Sequence, residues 1–184
     1  MPILQRFQPE NKEKNMRLWL FIGLLSVLTA CSTPTPVAKK TSPVANTPSV
    51  RIAELDHATA SSELMLQSMS LIGTPYRFGG SSRDTGFDCS GMVQYVYQTA
   101  LGVSLPRTAR DMAGAGRSIP KNQLKVGDLV FFNTNGKKFS HVGLYIGENR
   151  FIHSPSKNKT IRINYLSDKY YAQRFTGART FFSK

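Results

Sequence analysis

Cysteine, histidine and acidic side chains are all scarce in this sequence. Its 184 residues include two cysteines and three histidines, and 11 acidic residues stand against 24 basic ones, for a net charge of +13. A long apolar run is missing too: the uncharged stretch from Leu18 to Ala30 has 13 residues, whereas a helix needs about 20 to cross a membrane. These shortages exclude that stretch as a lasting membrane span and leave few candidates for a catalytic base or a metal ligand.

The first 31 residues have the layout of an export signal. Lys12, Lys14 and Arg17 precede the uncharged run, and Cys31 follows it, which is the order of charged, apolar and cleavage regions in a signal peptide. A buried core helix is the alternative, but the run shows no amphipathic pattern. We therefore expect a signal peptide over residues 1–31.

The end of this segment, Leu28-Thr29-Ala30-Cys31, resembles the lipobox of bacterial lipoproteins. The resemblance implies a lipoprotein whose Cys31 carries diacylglyceryl and palmitate chains and anchors the protein to a membrane. Acyl chains contribute about 0.8 kcal/mol per buried methylene, so several chains on one residue hold a soluble domain at the surface. Ser32 is compatible with sorting to the outer membrane, facing the periplasm. A plain secretory signal with an unrelated cysteine is the alternative.

Residues 32–50 differ in composition from the rest of the chain. They are rich in proline, threonine and serine and poor in large apolar side chains, so they cannot bury enough surface to fold. We expect a flexible tether there. The remaining residues, 51–184, are numerous enough to form one domain with a substantial core.

The excess of basic residues raises the question of a polyanionic partner. Export argues against nucleic acid and leaves anionic lipid headgroups or the carboxylates of a cell-wall polymer as the available polyanions. A solvated basic surface without a particular partner is the alternative.

Two helices are predicted in the first half of the domain. Leu64, Leu66, Met69 and Ile72 give a rough helical spacing that ends at Gly73. A clearer helix follows Asp88 and ends at a glycine, with apolar residues at spacings of three and four; these are Met92, Val93, Val96, Tyr97, Ala100 and Leu101, with Gly102 at the end.

Short β-rich runs replace the helical patterns after about residue 126. Turn signals at Asn135-Gly136 and at residues 147–149 separate them. The predicted strands are Leu129 to Phe132, Val142 to Ile146, Arg150 to His153, Ile161 to Asn164 and Arg179 to Phe182. Helices followed by strands indicate an α+β domain with N-terminal helices packed on a small antiparallel sheet.

Cys89 is the first candidate for a reactive group. If Cys31 is lipidated, Cys89 has no partner for a disulfide in the chain, although exported proteins meet oxidising conditions. It follows the predicted helix cap Asp88, and the N-terminus of a helix favours negative charge, so we expect a lowered thiol pKa. An inert buried cysteine is the alternative.

His141 and His153 are the candidates for its base. Alternation places Val142 and Ile146 on one face of a strand and His141 on the other, so His141 is expected to face away from the core. The two histidines lie about equally far from the turn at Gly147. As a direct cross-strand pair their Cβ atoms would be about 5 Å apart, and His153 could then orient His141. Two unrelated strand histidines, or a zinc site with Cys89, are the alternatives.

Six short motifs, in this order, resemble the NlpC-type family of papain-like cell-wall cysteine peptidases, and the match runs through most of residues 64–182. Any one of them alone would be weak evidence. They are Gly73-Thr74-Pro75-Tyr76-Arg77-Phe78-Gly79-Gly80, Asp88-Cys89-Ser90-Gly91, Leu105-Pro106-Arg107-Thr108, Gly127-Asp128-Leu129-Val130-Phe131-Phe132, His141-Val142-Gly143 and Phe151-Ile152-His153.

The resemblance implies a papain-like fold and a catalytic triad of Cys89, His141 and His153, without a metal or an organic cofactor. It also implies that Tyr76 helps to polarise the scissile carbonyl and that Asp88 and Ser90 shape the substrate pocket. For Arg107, ligand contact and a structural ion pair are alternatives, and a helix cap alone would explain Asp88. Ser154 departs from the alanine common in relatives, which bears on the pocket wall.

By the same resemblance, the expected activity is hydrolysis of amide bonds in peptidoglycan, within stem peptides or in their cross-links, by a thiol protease that we expect to be a monomer. The sequence leaves two other functions open. One is a catalytically idle lipoprotein that binds peptidoglycan or recruits other enzymes. The other is amidase or acyltransferase chemistry on another substrate.

Overall fold

A computed structural model describes residues 57–183 of the chain. The predicted signal peptide with Cys31, the predicted tether and residues 51–56 lie outside the described residues. Within residues 57–183, no helix is both long and apolar enough to cross a membrane.

The described chain forms four α-helices, one 3-10 turn and eight strands. The helices are α1 (His57–Met69), α2 (Cys89–Leu101), α3 (Ala109–Ala115) and α4 (Lys169–Ala172), and the 3-10 turn is Lys121–Gln123. The strands are β1 (Ser81–Ser82), β2 (Gly86–Phe87), β3 (Arg117–Ile119), β4 (Leu129–Phe132), β5 (His141–Gly147), β6 (Arg150–His153), β7 (Arg162–Tyr165) and β8 (Phe175–Thr180).

Helix α2 forms where the sequence predicts it. The Asp88 side chain accepts a hydrogen bond from the backbone N–H of Gly91, which caps the N-terminus. Gly102 ends the helix with φ at 68°, in the left-handed region that glycine adopts without strain. Local chemistry fixes both ends, so both could be predicted.

Helix α1 exists, but its predicted apolar face is wrong. Leu64 is buried, whereas Leu66 and Met69 and the following Ile72 are 62%, 44% and 47% exposed. The buried positions are Ala60, Ser61, Leu64 and Ser68. Ala60, Leu64 and Ser68, spaced four residues apart, lie on the buried face with Ser61, so the larger Leu66 and Met69 point outward.

Six strands form one antiparallel sheet in the order β3-β8-β4-β5-β6-β7. The predictions for β4 and β6 are confirmed to the residue, and those for β5 and β7 to within one residue at each end. The prediction for the last strand is wrong, because β8 runs from Phe175 to Thr180. There it pairs with both β4 and β3, and these partners set its position.

Helix α2 packs on one face of the sheet and α1 packs against α2, which confirms the predicted α+β architecture. Val142, Leu144 and Ile146 belong to this main core. The opposite face of the sheet is also covered, by a second cluster made of Val130, Phe132, Phe151, Leu166, Tyr171 and Ala178. His141 faces away from the main core, as predicted, but the second cluster covers that face, so only 4% of its surface is exposed.

Candidate active site

Cys89 is the first residue of α2, and part of its side chain remains accessible. It is a free cysteine. The cap Asp88 precedes it, so the thiol lies at the end of the helix where backbone N–H groups have no helical partner. This position agrees with the sequence prediction.

The electrostatics of the thiol differ from the prediction. Burial raises the pKa of the Cys89 thiol, and the carboxylate of Asp88 raises it further, while backbone N–H groups of Val142, Ser90 and Cys89 itself oppose them. Desolvation disfavours the charged form of a buried group, and here it outweighs the helix terminus. The expectation of a lowered thiol pKa is therefore wrong for the free protein, in which a neutral thiol is favoured.

His141 and His153 are hydrogen-bonded to each other, with 2.8 Å between Nε2 of His141 and Nδ1 of His153. A symmetric hairpin would place the two histidines directly opposite each other, but the observed strand register does not. Leu144 pairs with Ile152, so the register puts His153 opposite Gly143. The pairing shifts between Tyr145 and Gly147, and this irregularity makes the two histidines diagonal neighbours.

Gly143 is required between them. A Cβ at this position would lie 2.6 Å from a ring carbon of Phe151 and 3.3 Å from the Cβ of His153. Real side chains do not tolerate the first of these distances, so any other residue would displace Phe151 from beside the imidazole pair.

Hydrogen bonds beyond His153 fix the tautomers of both imidazoles. The side-chain amide of Asn164 donates to Asp168 over 2.8 Å, so its carbonyl Oδ1 faces His153 Nε2 at 3.0 Å. That nitrogen must then carry the proton, which leaves Nδ1 of His153 to accept from Nε2–H of His141. The remaining ring nitrogen of His141, Nδ1, is left with its lone pair free.

Three residues of this network were missed from the sequence. They are Asn164 and Asp168, together with Tyr171, whose hydroxyl lies 3.4 Å from His153 Nε2. The sequence pattern predicts Asn164 only as the end of a strand. A polar side chain in a β-rich run was its single local signal, and only the pairing of β6 with β7 shows that it reaches a histidine.

Both imidazoles favour the neutral form. Burial lowers the pKa of His141 to about 3, with a further contribution from His153. Burial also lowers the pKa of His153 to about 4; the hydrogen bond with Asn164 opposes this, while Arg162 and Lys159 add to it. The resting site therefore contains a neutral thiol and two neutral imidazoles.

Asp88, Ser90 and Arg107 form one network beside the nucleophile. The guanidinium of Arg107 donates to both carboxylate oxygens of Asp88, over 2.7 and 3.0 Å, and to the Ser90 hydroxyl over 2.9 Å. Asp88 also accepts from the N–H groups of Gly79 and Gly91. The two alternatives left open for Asp88 and Arg107, a helix cap and an ion pair, are thus both present.

Tyr76 lies close to the nucleophile. Its backbone N–H donates to the carbonyl of Lys159 over 2.8 Å. Burial raises the pKa of its hydroxyl, and Cys89 and Asp88 raise it further, so the phenol lies near both. The phenol is therefore a neutral hydrogen-bond donor at ordinary pH.

Ser154, expected in the wall of the substrate pocket, has a structural role. It is fully buried, and its hydroxyl donates to the carbonyl of Phe87 over 2.7 Å. The bond ties the segment just before Cys89 to the end of β6, where His153 lies. In residues 57–183, no group of three or more histidine, cysteine, aspartate and glutamate side chains is arranged to hold a metal ion.

Known proteins resemble this chain in sequence. A γ-DL-glutamyl hydrolase of Bacillus subtilis is 44% identical over 127 residues, which cover 68% of this chain and 30% of that protein. The murein DD-endopeptidase MepH of Escherichia coli is 46% identical over 118 residues, covering 62% of this chain and 44% of MepH. The chain thus spans less than half the length of either relative.

Solved structures resemble it as well. A lipoprotein-like protein of the NLP/P60 family from Staphylococcus aureus matches with a TM-score of 0.62 and 36% identity, over 71% of this chain and 44% of that one. The NlpC/p60 domain of the peptidoglycan hydrolase SagA matches with a TM-score of 0.58 and 29% identity, over 65% of this chain and 97% of that domain.

The sequence profile of the NlpC/P60 family matches residues 73–180, which is more than half of the chain and includes Cys89, His141 and His153. The same span contains α2 and the whole six-stranded sheet. The chain belongs to the NlpC/P60 family.

Proposed function

We propose that the protein is a cysteine peptidase that hydrolyses amide bonds in the peptides of peptidoglycan. The observation that carries this proposal is the hydrogen-bonded pair of His141 and His153 beside Cys89, with the free lone pair left on His141 Nδ1. Family membership supports the same chemistry, and relatives named as a murein endopeptidase and a glutamyl hydrolase support the substrate.

In the proposed mechanism, His141 Nδ1 removes the proton from the Cys89 thiol as the sulfur attacks the scissile carbonyl. His153 holds His141 in the required tautomer through the Nε2–Nδ1 hydrogen bond. The protonated His141 then donates to the leaving amine, and a thioester remains on Cys89. Water, activated by His141, hydrolyses the thioester and restores the thiol.

Two groups support the transition state in this proposal. Backbone N–H groups at the start of α2, beginning with that of Cys89, stabilise the oxyanion, and the neutral phenol of Tyr76 adds a donor. Asp88, Ser90 and Arg107 shape the pocket for the stem peptide. Because Arg107 neutralises Asp88, this pocket presents donors and acceptors without a strong net charge.

We also propose that the protein works as a lipid-anchored enzyme of the cell envelope. Residues 1–31 would act as signal peptide, Cys31 as the palmitate-bearing anchor in the outer membrane, and residues 32–50 as the tether. A peptide substrate in the cell wall would then lie within reach of a monomeric enzyme held at the periplasmic side of that membrane.

Digestion of purified sacculi by the full-length protein tests the proposed activity. The unaltered protein should release shortened stems or lose cross-linked muropeptides, as read by mass spectrometry, and the mass of the products identifies the bond. Cys89→Ala should release none of them. Sacculi that stay intact while both proteins sediment with them would contradict the proposal and favour a binding lipoprotein instead.

The tautomer network predicts a smaller effect at Asn164. Asn164→Ala removes the acceptor for His153 Nε2–H, so the histidine pair no longer has one fixed tautomer, and kcat should fall about tenfold with KM unchanged. Nitrogen chemical shifts of the two imidazoles should show mixed tautomers in the variant. Unchanged shifts and unchanged kcat would contradict the role of Asn164 in holding the pair.

A further inference from the structure

An open pocket of about 230 Å³ lies on the partly exposed side of α2. Gln94, Tyr95 and Gln98 line it from the helix, and Ser81 of β1 and Ser104 complete it. None of these five side chains is charged, although basic residues outnumber acidic ones 24 to 11 in the chain. The proposed mechanism uses none of them.

The two glutamines lie one helical turn apart, so their amides share one face of α2. A neighbour holds one end of each amide. Nε2 of Gln94 donates to the carbonyl of Leu105 over 2.7 Å, and Oε1 of Gln98 accepts from the Ser104 hydroxyl over 2.6 Å. The other ends, Oε1 of Gln94 and Nε2 of Gln98, make no hydrogen bond to residues 57–183. The pocket therefore presents one fixed acceptor and one fixed donor.

Tyr95 adds an aromatic surface to the pocket. Its hydroxyl accepts from Nε of Arg83 over 3.2 Å, and its ring centre lies 5.1 Å from that of Phe87. These contacts fix the ring, so little conformational freedom is lost when a ligand packs on it. An aromatic ring beside amides and hydroxyls suits a ligand that has both an apolar C–H side and neutral polar groups.

We infer that this pocket binds an N-acetylated amino sugar of the glycan strand. An acetamido group has one N–H donor and one carbonyl acceptor, which match the free Oε1 of Gln94 and the free Nε2 of Gln98. A charged ligand would find no counter-ion among the lining residues. The inference rests on the proposed function, in which the substrate is a peptide of a wall polymer whose glycan carries such sugars.

The position of the pocket suits a substrate in which a sugar is joined to a peptide. Gln94 is five residues from Cys89 on α2, which is about 7.5 Å along the helix axis. The carbonyl that Gln94 binds belongs to Leu105, two residues before Arg107 of the proposed stem-peptide pocket. The sugar pocket is thus close to the proposed peptide site but separate from it, and a stem still attached to its glycan can occupy both.

Titration of the full-length protein with N,N′-diacetylchitobiose tests binding directly. Cellobiose is the matched control, because it has the same linked pyranose rings with hydroxyl groups in place of the acetamido groups. In proton–nitrogen NMR spectra, the side-chain amides of Gln94 and Gln98 should shift with chitobiose at concentrations on the order of millimolar and stay in place with cellobiose. Equal shifts with both sugars, or none with either, would contradict an acetamido site.

Cross-linked muropeptides test the role of this site in hydrolysis. The same peptides after removal of their sugars by an amidase provide the comparison. The unaltered protein should cleave the sugar-bearing form with kcat/KM about tenfold higher, since two neutral hydrogen bonds commonly change binding by that factor. The preference should persist at high salt, because no charged side chain lines the pocket.

Variants assign the preference to the pocket. Gln98→Met removes the free donor at an exposed position and keeps the length of the side chain, so it should reduce the preference severalfold without slowing cleavage of the sugar-free peptides. Gln94→Met removes the free acceptor and should reduce the preference by a similar factor. Gln123→Met is the matched control, since Gln123 is exposed and does not line the pocket.

The outcomes separate the sugar site from the activity. Equal rates with and without the sugar in the unaltered protein would overturn the site alone, as would a preference that Gln98→Met leaves unchanged. If neither form is cleaved and sacculi stay intact, the proposed function fails, while the chitobiose titration still decides whether the pocket binds an acetamido sugar.

Discussion

His141→Ala should lower kcat/KM on peptidoglycan peptides by about 10⁴-fold at pH 7, the upper end of the range for a general base. The reason lies in the raised pKa of the Cys89 thiol. A thiol that is neutral at pH 7 needs a base to remove its proton during attack, and His141 is the proposed base beside it. A cysteine with a depressed pKa would retain much more activity without its histidine.

The pH profile gives this prediction its signature. In the unaltered protein, kcat/KM should be flat between pH 6 and 8, because the pKa of His141 lies at about 3 and that of the thiol above its ordinary value of about 8.5. In His141→Ala the rate should rise about tenfold per pH unit over that range, as the thiolate fraction grows.

His57→Ala is the matched control, since His57 packs on Phe182 at the start of α1 and takes no part in the proposed chemistry. It should retain full activity. Alkylation of Cys89 by iodoacetamide gives an independent reading. A fast reaction that is already maximal at pH 6 in the unaltered protein would show a thiolate paired with an imidazolium and would contradict the neutral pair.

Features set by neighbouring residues were predictable from the sequence. The Asp88 cap and the Gly102 terminus define α2 through hydrogen bonds within four residues, so the position of Cys89 at the helix start followed. Strand β6, bounded by the turn before it, was also located correctly. Tyr76, Asp88 and Arg107 lie near Cys89, and His141 and His153 are paired with each other, while Cys31 lies outside the described residues.

Features set by distant partners were not predictable. The ends of β8 depend on pairing with β3 and β4, and Asn164 reaches His153 only because β6 and β7 pair side by side. The second core cluster, which buries His141, is assembled from strands and α4. Cys89 packs against the main core, and because that core is also assembled from distant parts of the chain, the sequence did not indicate that burial would outweigh the helix terminus in setting the thiol pKa.

Acid should destabilise this protein well above the pH at which carboxylates protonate. His141 and His153 are buried as neutral imidazoles, with pKa values of about 3 and about 4, whereas an unfolded histidine has a pKa of about 6.5. The unfolded state therefore binds more protons than the folded state below pH 6.5, and the free energy of unfolding decreases as the pH is lowered from about 6.5 toward 4. At pH 5 the loss is about 2 kcal/mol for each histidine.

A loss of about 4 kcal/mol is a large part of the 5 to 15 kcal/mol that usually stabilises a domain. Asp128 opposes it in part, because burial raises the pKa of its carboxyl and the folded state then takes up a proton as the pH falls. Urea unfolding of the full-length protein at pH 7 and at pH 5, monitored by far-UV circular dichroism, measures the difference in the free energy of unfolding.

The variant His153→Asn assigns this dependence to the histidine pair. Asparagine keeps an oxygen that can accept from His141 Nε2–H but cannot bind a proton, so the loss between pH 7 and pH 5 should shrink by about half, whatever the absolute stability of the variant. The contribution of Asp128 is common to both proteins and cancels in the comparison. A pH dependence that is unchanged in His153→Asn, or smaller than about 1 kcal/mol in the unaltered protein, would show that the buried imidazoles are not held neutral.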